Sequence, residues 1–221
     1  AAQIKLFKCL DSSIPSFAHF PLMRSKTGGG LSKRFNSFSL RELRKKKIIP
    51  LILINYLQKI GSSSSIDDIE FLEQLIKNFN VNSFSKNSVL FNDDDLYRLN
   101  SKHIKSLSFR DLEKITKIKI DEKFWDIIKL NINNFEEIEK WKEILKGNFI
   151  EEKIKIEEKI FNLIEKNLPD RIDLNTWSLW TKKILQEIDI KPKELFVKIR
   201  MMLTGKSYGP SMNELLTLFS R

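Results

Sequence analysis

A glycine-rich, basic segment near the start of the chain is the part of the sequence best suited to chemistry. Three consecutive glycines, residues 28–30, precede Ser32, Lys33 and Arg34. Glycine places few steric limits on the backbone, so such a loop can close over a bound group. Loop amides and the Ser32 hydroxyl could hydrogen-bond a triphosphate, while Lys33 neutralises charge that develops on departing pyrophosphate. A merely flexible loop is the alternative, because the Gly-Lys-Ser/Thr spacing of a P-loop is absent.

Positive charge is concentrated around this loop and just after it. The chain has 39 Lys and Arg against 29 Asp and Glu, a formal net charge of +10. Residues 24–47 hold many of the basic side chains and a single acidic one, Glu42. Such a surplus attracts polyanions, of which nucleic acid is the commonest. A solvated lysine-rich surface is the alternative interpretation.

Composition excludes several classes of protein and site. The longest apolar run, residues 48–54, contains Pro50 and is far shorter than the roughly 20 residues of a membrane-spanning helix. The single cysteine, Cys9, cannot form an internal disulfide and fits a reducing compartment. One cysteine and two histidines cannot build a zinc centre, so no metal site is predicted.

Helical patterns dominate from residue 39 onward and must position the loop. Ser39 and Glu42 have capping-box spacing, and Pro50 and Gly61 bracket the next helix. Residues 79–92 are expected to form a loop. Asp93 or Asp94 can cap a helix that carries Leu96, Leu99, Ile104 and Leu107, and Ser108 starts another short helix. Further helices are predicted at about residues 67–78, 122–132, 134–146, 150–168, 175–188, 192–203 and 211–219.

Residues 1–23 differ, since they suggest the end of a helix and then a short strand at residues 17–23, the tail of an α/β domain. The chain does not begin with Met, so we expect an internal start. The tryptophans have amphipathic spacing that favours core packing; stacking on an unpaired RNA base is the alternative. They are Trp125, Trp141, Trp177 and Trp180.

The run Phe-Ala-His-Phe-Pro at residues 17–21, followed by Gly-Leu-Ser-Lys-Arg at residues 30–34, resembles the end of the catalytic domain in class I glutamyl-tRNA synthetases. In that family, a strand ending in Ala-His-x-Pro leads into a Lys-Met-Ser-Lys-Ser signature loop, commonly written Lys-Leu-Ser-Lys-Arg. Gly30 stands where the first lysine is usual. The resemblance implies catalytic roles for Ser32 and Lys33. It also implies an ATP-binding signature loop made of Gly30, Leu31, Ser32, Lys33 and Arg34.

Three later segments also resemble the family. They are Asn-Tyr-Leu at residues 55–57 with Gly61, the segment 91–100, and Leu-Thr-Gly at residues 203–205 with Gly-Pro at 209–210. The resemblance implies a mainly α fold, with helical domains after the remnant of a Rossmann-like α/β catalytic domain. The implied domains are 1–35 (end of the catalytic domain), 36–107 (stem-contact domain) and 108–221 (anticodon-binding region, with possible subdomains 108–147 and 148–221).

The function implied by the resemblance is glutamate–tRNA ligation, with ATP, Mg²⁺, glutamate and tRNA-Glu as reactants. A relative that charges tRNA-Gln and a noncatalytic tRNA-binding module are the alternatives. We expect a cytoplasmic monomer that does not contact membranes. We also expect no aminoacylation by these 221 residues alone, since the family's other catalytic motifs lie upstream. The candidate tRNA contacts are Arg41, Arg44, Lys45, Lys46 and Lys47.

Overall fold

The computed structural model describes residues 2–25, 29, 39–148 and 157–219. The chain divides into two compact units, residues 1–99 and 100–221. Helices make up most of the described residues, so the prediction of a mainly α fold is confirmed. The signature loop, residues 30–34, lies outside the described residues.

The first unit combines short helices with one small pair of parallel strands. In this pair, Met23 lies opposite Val89 and Arg24 opposite Leu90. Helix α5, Asp93–Ser106, has residues 93–99 in this unit and the rest in the second. The remaining elements are α1 (Ala2–Cys9), β1 (Met23–Arg24), α2 (Leu40–Lys45), α3 (Pro50–Lys59), α4 (Leu72–Asn78), a 3-10 turn (Val81–Ser83) and β2 (Val89–Leu90).

The ends of α2 and α3 follow local sequence rules. The Glu42 amide donates to the Ser39 hydroxyl at 3.2 Å, which caps α2, while the Glu42 carboxylate pairs with Lys45. Pro50 occupies the first turn of α3, where a missing amide hydrogen costs nothing. Gly61 follows α3 with φ +80°, and an added Cβ there would lie 2.7 Å from a methyl group of Val89. Glycine therefore lets the end of α3 lie directly against β2.

Two buried polar side chains of α3 hold the segment that precedes α4. The Asn55 side-chain amide donates to the Glu70 carbonyl at 2.9 Å and accepts from the Glu70 amide at 2.8 Å. Buried Lys59 contacts the Asp68 carbonyl, and its Nζ lies 3.1 Å from the Glu70 carboxylate. The backbone around Glu70 is thus bonded to side chains of α3.

The structure corrects three of the predicted elements. A helix starting at residue 67 is wrong, because α4 begins only at Leu72, after the segment bonded to α3. The predicted loop 79–92 contains β2, and the predicted strand 17–23 is reduced to β1 at Met23–Arg24. Both strands need a partner distant in sequence, which local patterns do not reveal.

Buried apolar and aromatic residues join α3 to the start of α5. Tyr56 is 1% exposed, and its ring meets the Phe91 ring edge-to-face at 5.2 Å. The Tyr56 hydroxyl donates to the Asn92 carbonyl at 3.1 Å and accepts from the Asn92 amide at 2.9 Å. These bonds satisfy the backbone just before α5 begins.

The second unit is built from helices. The helix predicted over residues 150–168 begins outside the described residues, and its later part is seen as a helix over Glu158–Lys166. Side chains of Ser108 and Asp121 accept hydrogen bonds from first-turn amides, and Pro192 opens a later helix. The helix over Glu136–Leu145 contacts that over Pro192–Thr204, and the helix over Thr176–Glu187 contacts three others of this unit. The elements are α6 (Phe109–Ile115), α7 (Glu122–Ile128) with a 3-10 turn (Lys129–Asn131), α8 (Glu136–Leu145), α9 (Glu158–Lys166), α10 (Thr176–Glu187), α11 (Pro192–Thr204) and α12 (Met212–Leu215) with a 3-10 turn (Leu216–Leu218).

Three tryptophans form the core of this unit, as predicted. Trp125, Trp141 and Trp180 are at most 3% exposed. The indole N–H of Trp125 donates to the Leu107 carbonyl, and that of Trp180 to the Ile164 carbonyl, each at 3.1 Å. The fourth tryptophan, Trp177, is only partly buried and therefore lies at the edge of the core.

Within residues 2–25, 29, 39–148 and 157–219, no helix has both the length and the apolar character required to cross a bilayer. The same residues contain no cluster of three His, Cys, Asp or Glu side chains suited to holding a metal ion.

We expect Asn55→Ala to destabilise the chain by about 2–3 kcal/mol, because it removes a buried side chain and leaves the part-buried amide and carbonyl of Glu70 without their partners. Urea unfolding followed by circular dichroism measures this change. Asn87→Ala is the matched control, since Asn87 is exposed; it should change the free energy of unfolding by less than about 0.5 kcal/mol. Equal effects of the two substitutions would contradict the role given to Asn55.

Candidate nucleic-acid interface

The described residues on either side of the signature loop show how the chain enters and leaves it. Strand β1 leads directly into the glycine-rich segment, and the Ser25 amide donates to the Gly29 carbonyl at 2.8 Å. After the loop, the chain continues from Ser39 into α2. The predicted roles of Ser32 and Lys33, and of Gly30, Leu31 and Arg34, concern positions outside the described residues and stay predictions.

All five candidate tRNA contacts in the basic segment, residues 41–47, have exposed side chains. This segment ends tightly: Lys47 has φ +56°, and the Ile48 amide donates to the Leu43 carbonyl at 3.0 Å. Leu43 and Ile48 are both buried, so they fix the segment to the first unit while its charges face solvent.

Two lysines of the basic segment have intramolecular partners. Lys45 pairs with the Glu42 carboxylate at 2.8 Å. The Lys46 ammonium donates to the Tyr97 hydroxyl at 2.6 Å and lies 5.2 Å from the centre of the Tyr97 ring. The hydrogen bond to Tyr97 raises the pKa of Lys46, so this side chain remains a cation at neutral pH. An RNA phosphate would share these ammonium groups with their present partners.

A separate groove lies in the second unit, with a cavity volume of about 380 Å³. We call it the aromatic groove. The rings of Trp177 and Phe196 are 5.6 Å apart and inclined at 57°. Phe196 is 37% exposed, so an apolar aromatic surface is open to solvent here. The groove is lined by Trp177, Lys193, Phe196, Val197, Arg200, Ser211, Met212 and Asn213.

Arg200 is the charged group at the wall of this groove. Its Nη2 donates to the Pro210 carbonyl at 2.9 Å, whereas its Nη1 is buried and finds no hydrogen-bond partner in the described part of the chain. Burial lowers the pKa of Arg200, but a guanidinium remains charged in proteins. A buried cationic donor without a partner is costly, so Arg200 calls for an explanation beyond its bond to Pro210.

The 205–210 loop, which joins α11 to α12, is fixed against Arg200 and Trp141. Gly205 ends α11 with φ +65°, and the Lys206 amide donates to the Thr204 hydroxyl at 3.2 Å. Gly209 has φ +148°, and an added Cβ would lie 2.6 Å from the Trp141 ring and 3.3 Å from Arg200 Nη1. The backbone at residue 209 therefore packs so closely on Trp141 that only glycine fits there.

Helical periodicity did not distinguish Trp177 from the other tryptophans, for all of which base stacking is only the alternative, and it gave no sign of a role for Arg200. Arg200 lies three residues before the Leu-Thr-Gly motif at residues 203–205. The burial of its side chain depends on packing against Pro210, which the sequence does not reveal. The basic segment belongs to the first unit and the aromatic groove to the second, so each is a candidate site within its own unit.

Known proteins match the chain along its whole length. Residues 1–98 match the family model of the catalytic domain of class I tRNA synthetases for Glu and Gln. Curated relatives include glutamate–tRNA ligase 1 of the Wolbachia of Brugia malayi, 32% identical, and that of Wolbachia pipientis from Culex pipiens, 34% identical. Each alignment covers 100% of this chain and 50% or 49% of the relative. The chain thus spans about half the length of the curated relatives it matches.

Solved structures show the same fold. A glutamate-tRNA synthetase from Elizabethkingia anophelis matches 99% of this chain and 51% of its own, with a TM-score of 0.69 and 16% identity. A glutamate tRNA ligase from Elizabethkingia meningosepticum, crystallised with its amino acid, matches with a TM-score of 0.70 and 16% identity. The alignment of the whole chain with glutamate–tRNA ligases confirms the resemblance inferred from the motifs, and these structures share its fold.

We expect Gly209→Ala to destabilise the second unit by about 2–4 kcal/mol, because it adds a clash with Trp141 to an unfavourable backbone conformation. Thermal and urea unfolding measure this loss. Gly147→Ala is the matched control, since Gly147 also has positive φ but its Cβ would meet nothing within 4 Å. Its cost should stay near 1 kcal/mol, the backbone contribution alone. A control as damaging as Gly209→Ala would refute the packing argument.

Proposed function

We propose that this chain, whose residues 1–98 match the catalytic domain of the class I tRNA synthetases for glutamate and glutamine, is the part of a glutamate–tRNA ligase that carries the signature loop and binds tRNA. The observation that carries this proposal is the alignment of the entire chain with half of each glutamate–tRNA ligase. The intact ligase would activate glutamate with ATP, which enters with Mg²⁺, and would transfer it to the 3′ end of tRNA-Glu.

The proposed role of the signature loop follows from the chemistry of activation. Attack of the glutamate carboxylate on ATP displaces pyrophosphate, so the protein must position the reactants and stabilise negative charge. Lys33 is the cation that meets the triphosphate, and Ser32 with the loop amides holds it in place. Gly30, Leu31 and Arg34 complete the ATP contact, and β1 delivers the chain to this position.

We expect Lys33→Ala in the full-length ligase to slow ATP–pyrophosphate exchange by about 100-fold or more, the usual cost of removing one group that stabilises transition-state charge. The Kd for tRNA should change by less than about threefold. Lys26→Ala, which removes a nearby cation outside the signature loop, is the control and should retain exchange. Equal losses of exchange and tRNA affinity would identify Lys33 as an RNA contact instead.

The proposed tRNA contacts divide between the two units. The basic segment, residues 41–47, presents exposed cations that suit the phosphate backbone of a stem, as expected for a stem-contact domain over residues 36–107. The aromatic groove suits an unpaired base, because Trp177 and Phe196 offer ring faces and the Arg200 side chain adds a positive charge to the wall. Residues 108–221 are accordingly proposed as the anticodon-binding region.

The decisive experiment is binding of the 221-residue chain to tRNA-Glu, tRNA-Gln and an unrelated tRNA across a salt series. We expect tighter binding to tRNA-Glu that survives moderate salt. Arg200→Met should weaken this binding by about 10- to 100-fold and remove the preference, since a charged donor is lost. Arg171→Met is the matched control, because Arg171 is an exposed arginine of the same unit outside the groove. Equal binding of all three tRNAs, collapsing with salt, would refute the proposal.

Two other functions are distinguished by the same measurements. Preference for tRNA-Gln would identify a ligase with altered tRNA choice. Selective tRNA binding by a full-length protein that lacks ATP–pyrophosphate exchange would identify a noncatalytic binding module. The 221-residue chain itself should not aminoacylate tRNA. A cytoplasmic location and a monomeric state belong to the same proposal.

A further inference from the structure

Tyr208 is a large aromatic residue at the surface of the 205–210 loop, where it does not contribute to the core. It is 68% exposed. The Lys206 ammonium lies 5.3 Å from the centre of the Tyr208 ring and 5.9 Å from that of the buried Trp141 ring. Both distances are within the range of cation–π attraction. One lysine therefore contacts an exposed ring and a core ring at once.

The loop that carries Tyr208 is held on both sides. Before it, the Thr204 hydroxyl bonds to the Arg200 carbonyl at 2.7 Å and to the Lys206 backbone. After it, Gly209 packs on the Trp141 ring and Pro210 accepts from Arg200. Because the backbone is already ordered, a ligand that contacts the Tyr208 ring loses little free energy to immobilising it.

We propose that Tyr208 is a stacking surface for one unpaired base of bound RNA, with Lys206 fixing the ring and attracting the adjoining phosphate. This inference rests on the proposed tRNA-binding function and adds a contact to it. Aromatic rings beside cations are the common platform for single-stranded nucleic acid, since every base has a stacking face. Tyr208 lies two residues after Lys206 and two residues before Pro210, the partner of Arg200. Stacking on the Tyr208 ring and hydrogen bonding to Arg200 would therefore involve neighbouring groups.

The test uses the 221-residue chain and anticodon stem-loops of tRNA-Glu that carry 2-aminopurine at one of the three anticodon positions. Stacking on Tyr208 should quench 2-aminopurine fluorescence at one position with the wild-type chain. Tyr208→Phe keeps the ring and should preserve the quenching. Tyr208→Ala should abolish it and weaken binding by about 5- to 100-fold, the usual effect of removing a stacking ring.

The salt dependence of binding separates stacking from ionic contact. Tyr208→Ala should leave the slope of log affinity against log salt unchanged, because stacking releases no counterions. Lys206→Met should reduce that slope by about one phosphate contact. Phe161→Ala is the matched control: Phe161 is a 46% exposed ring on α9, and its loss should change neither quenching nor affinity.

Failure of the inference is distinct from failure of the proposed function. Wild-type binding that is selective for tRNA-Glu, together with unchanged quenching and affinity in Tyr208→Ala, would overturn the stacking role and leave the function intact. The same holds if Tyr208→Phe behaves like Tyr208→Ala, since the hydroxyl would then be the contact. Wild-type binding without selectivity would overturn the function itself.

Discussion

The first unit depends on the hydrogen bonds that two buried side chains of α3 make to the segment before α4. Asn55 pairs with both backbone groups of Glu70, and Lys59 binds the Asp68 carbonyl and the Glu70 carboxylate. A buried lysine or asparagine is tolerated only when its donors are satisfied, so the segment and the helix require each other. With α3 fixed, Gly61 lies against Val89 of β2, and β2 pairs with β1. The position of β1, which leads into the signature loop, therefore depends on the buried side chains of Asn55 and Lys59 through α3 and β2.

In the second unit, too, side chains of helices hold a connecting segment in place, here the 205–210 loop. Trp141 supplies a flat, buried ring on which Gly209 rests, and Arg200 ties Pro210 to α11. These contacts leave Trp177 and Phe196 partly exposed beside a charged guanidinium. The surface is costly for a purely structural protein, because it combines uncovered aromatic area with a buried donor that has no partner among the described residues. The uncovered aromatic area is what the proposed binding of an unpaired base would bury.

The features that could be predicted from the sequence are those that depend on neighbouring residues. Ser39, Pro50 and Gly205 locate helix ends correctly, because caps and breakers act within one turn. The start of α4 could not be predicted, since the segment before it is held by bonds from Asn55 to Glu70, fifteen residues later in the chain. For the same reason the aromatic groove was missed: helical periodicity describes Trp177 as it does Trp180, and only packing makes one a wall of a groove and the other core.

The parallel pairing of β1 with β2 has a consequence for the order in which the first unit folds. Joining residues 23–24 to residues 89–90 closes a long stretch of chain for very few hydrogen bonds. Closure entropy is lost before those bonds form, so we expect the pairing to follow formation of α3 and α5, whose contacts are local. The same pairing should open most readily in the native state, which makes the strand leading to the signature loop a point of fast amide exchange. A ligand held by that loop would then slow exchange at Met23 and Arg24 without any change in the helices.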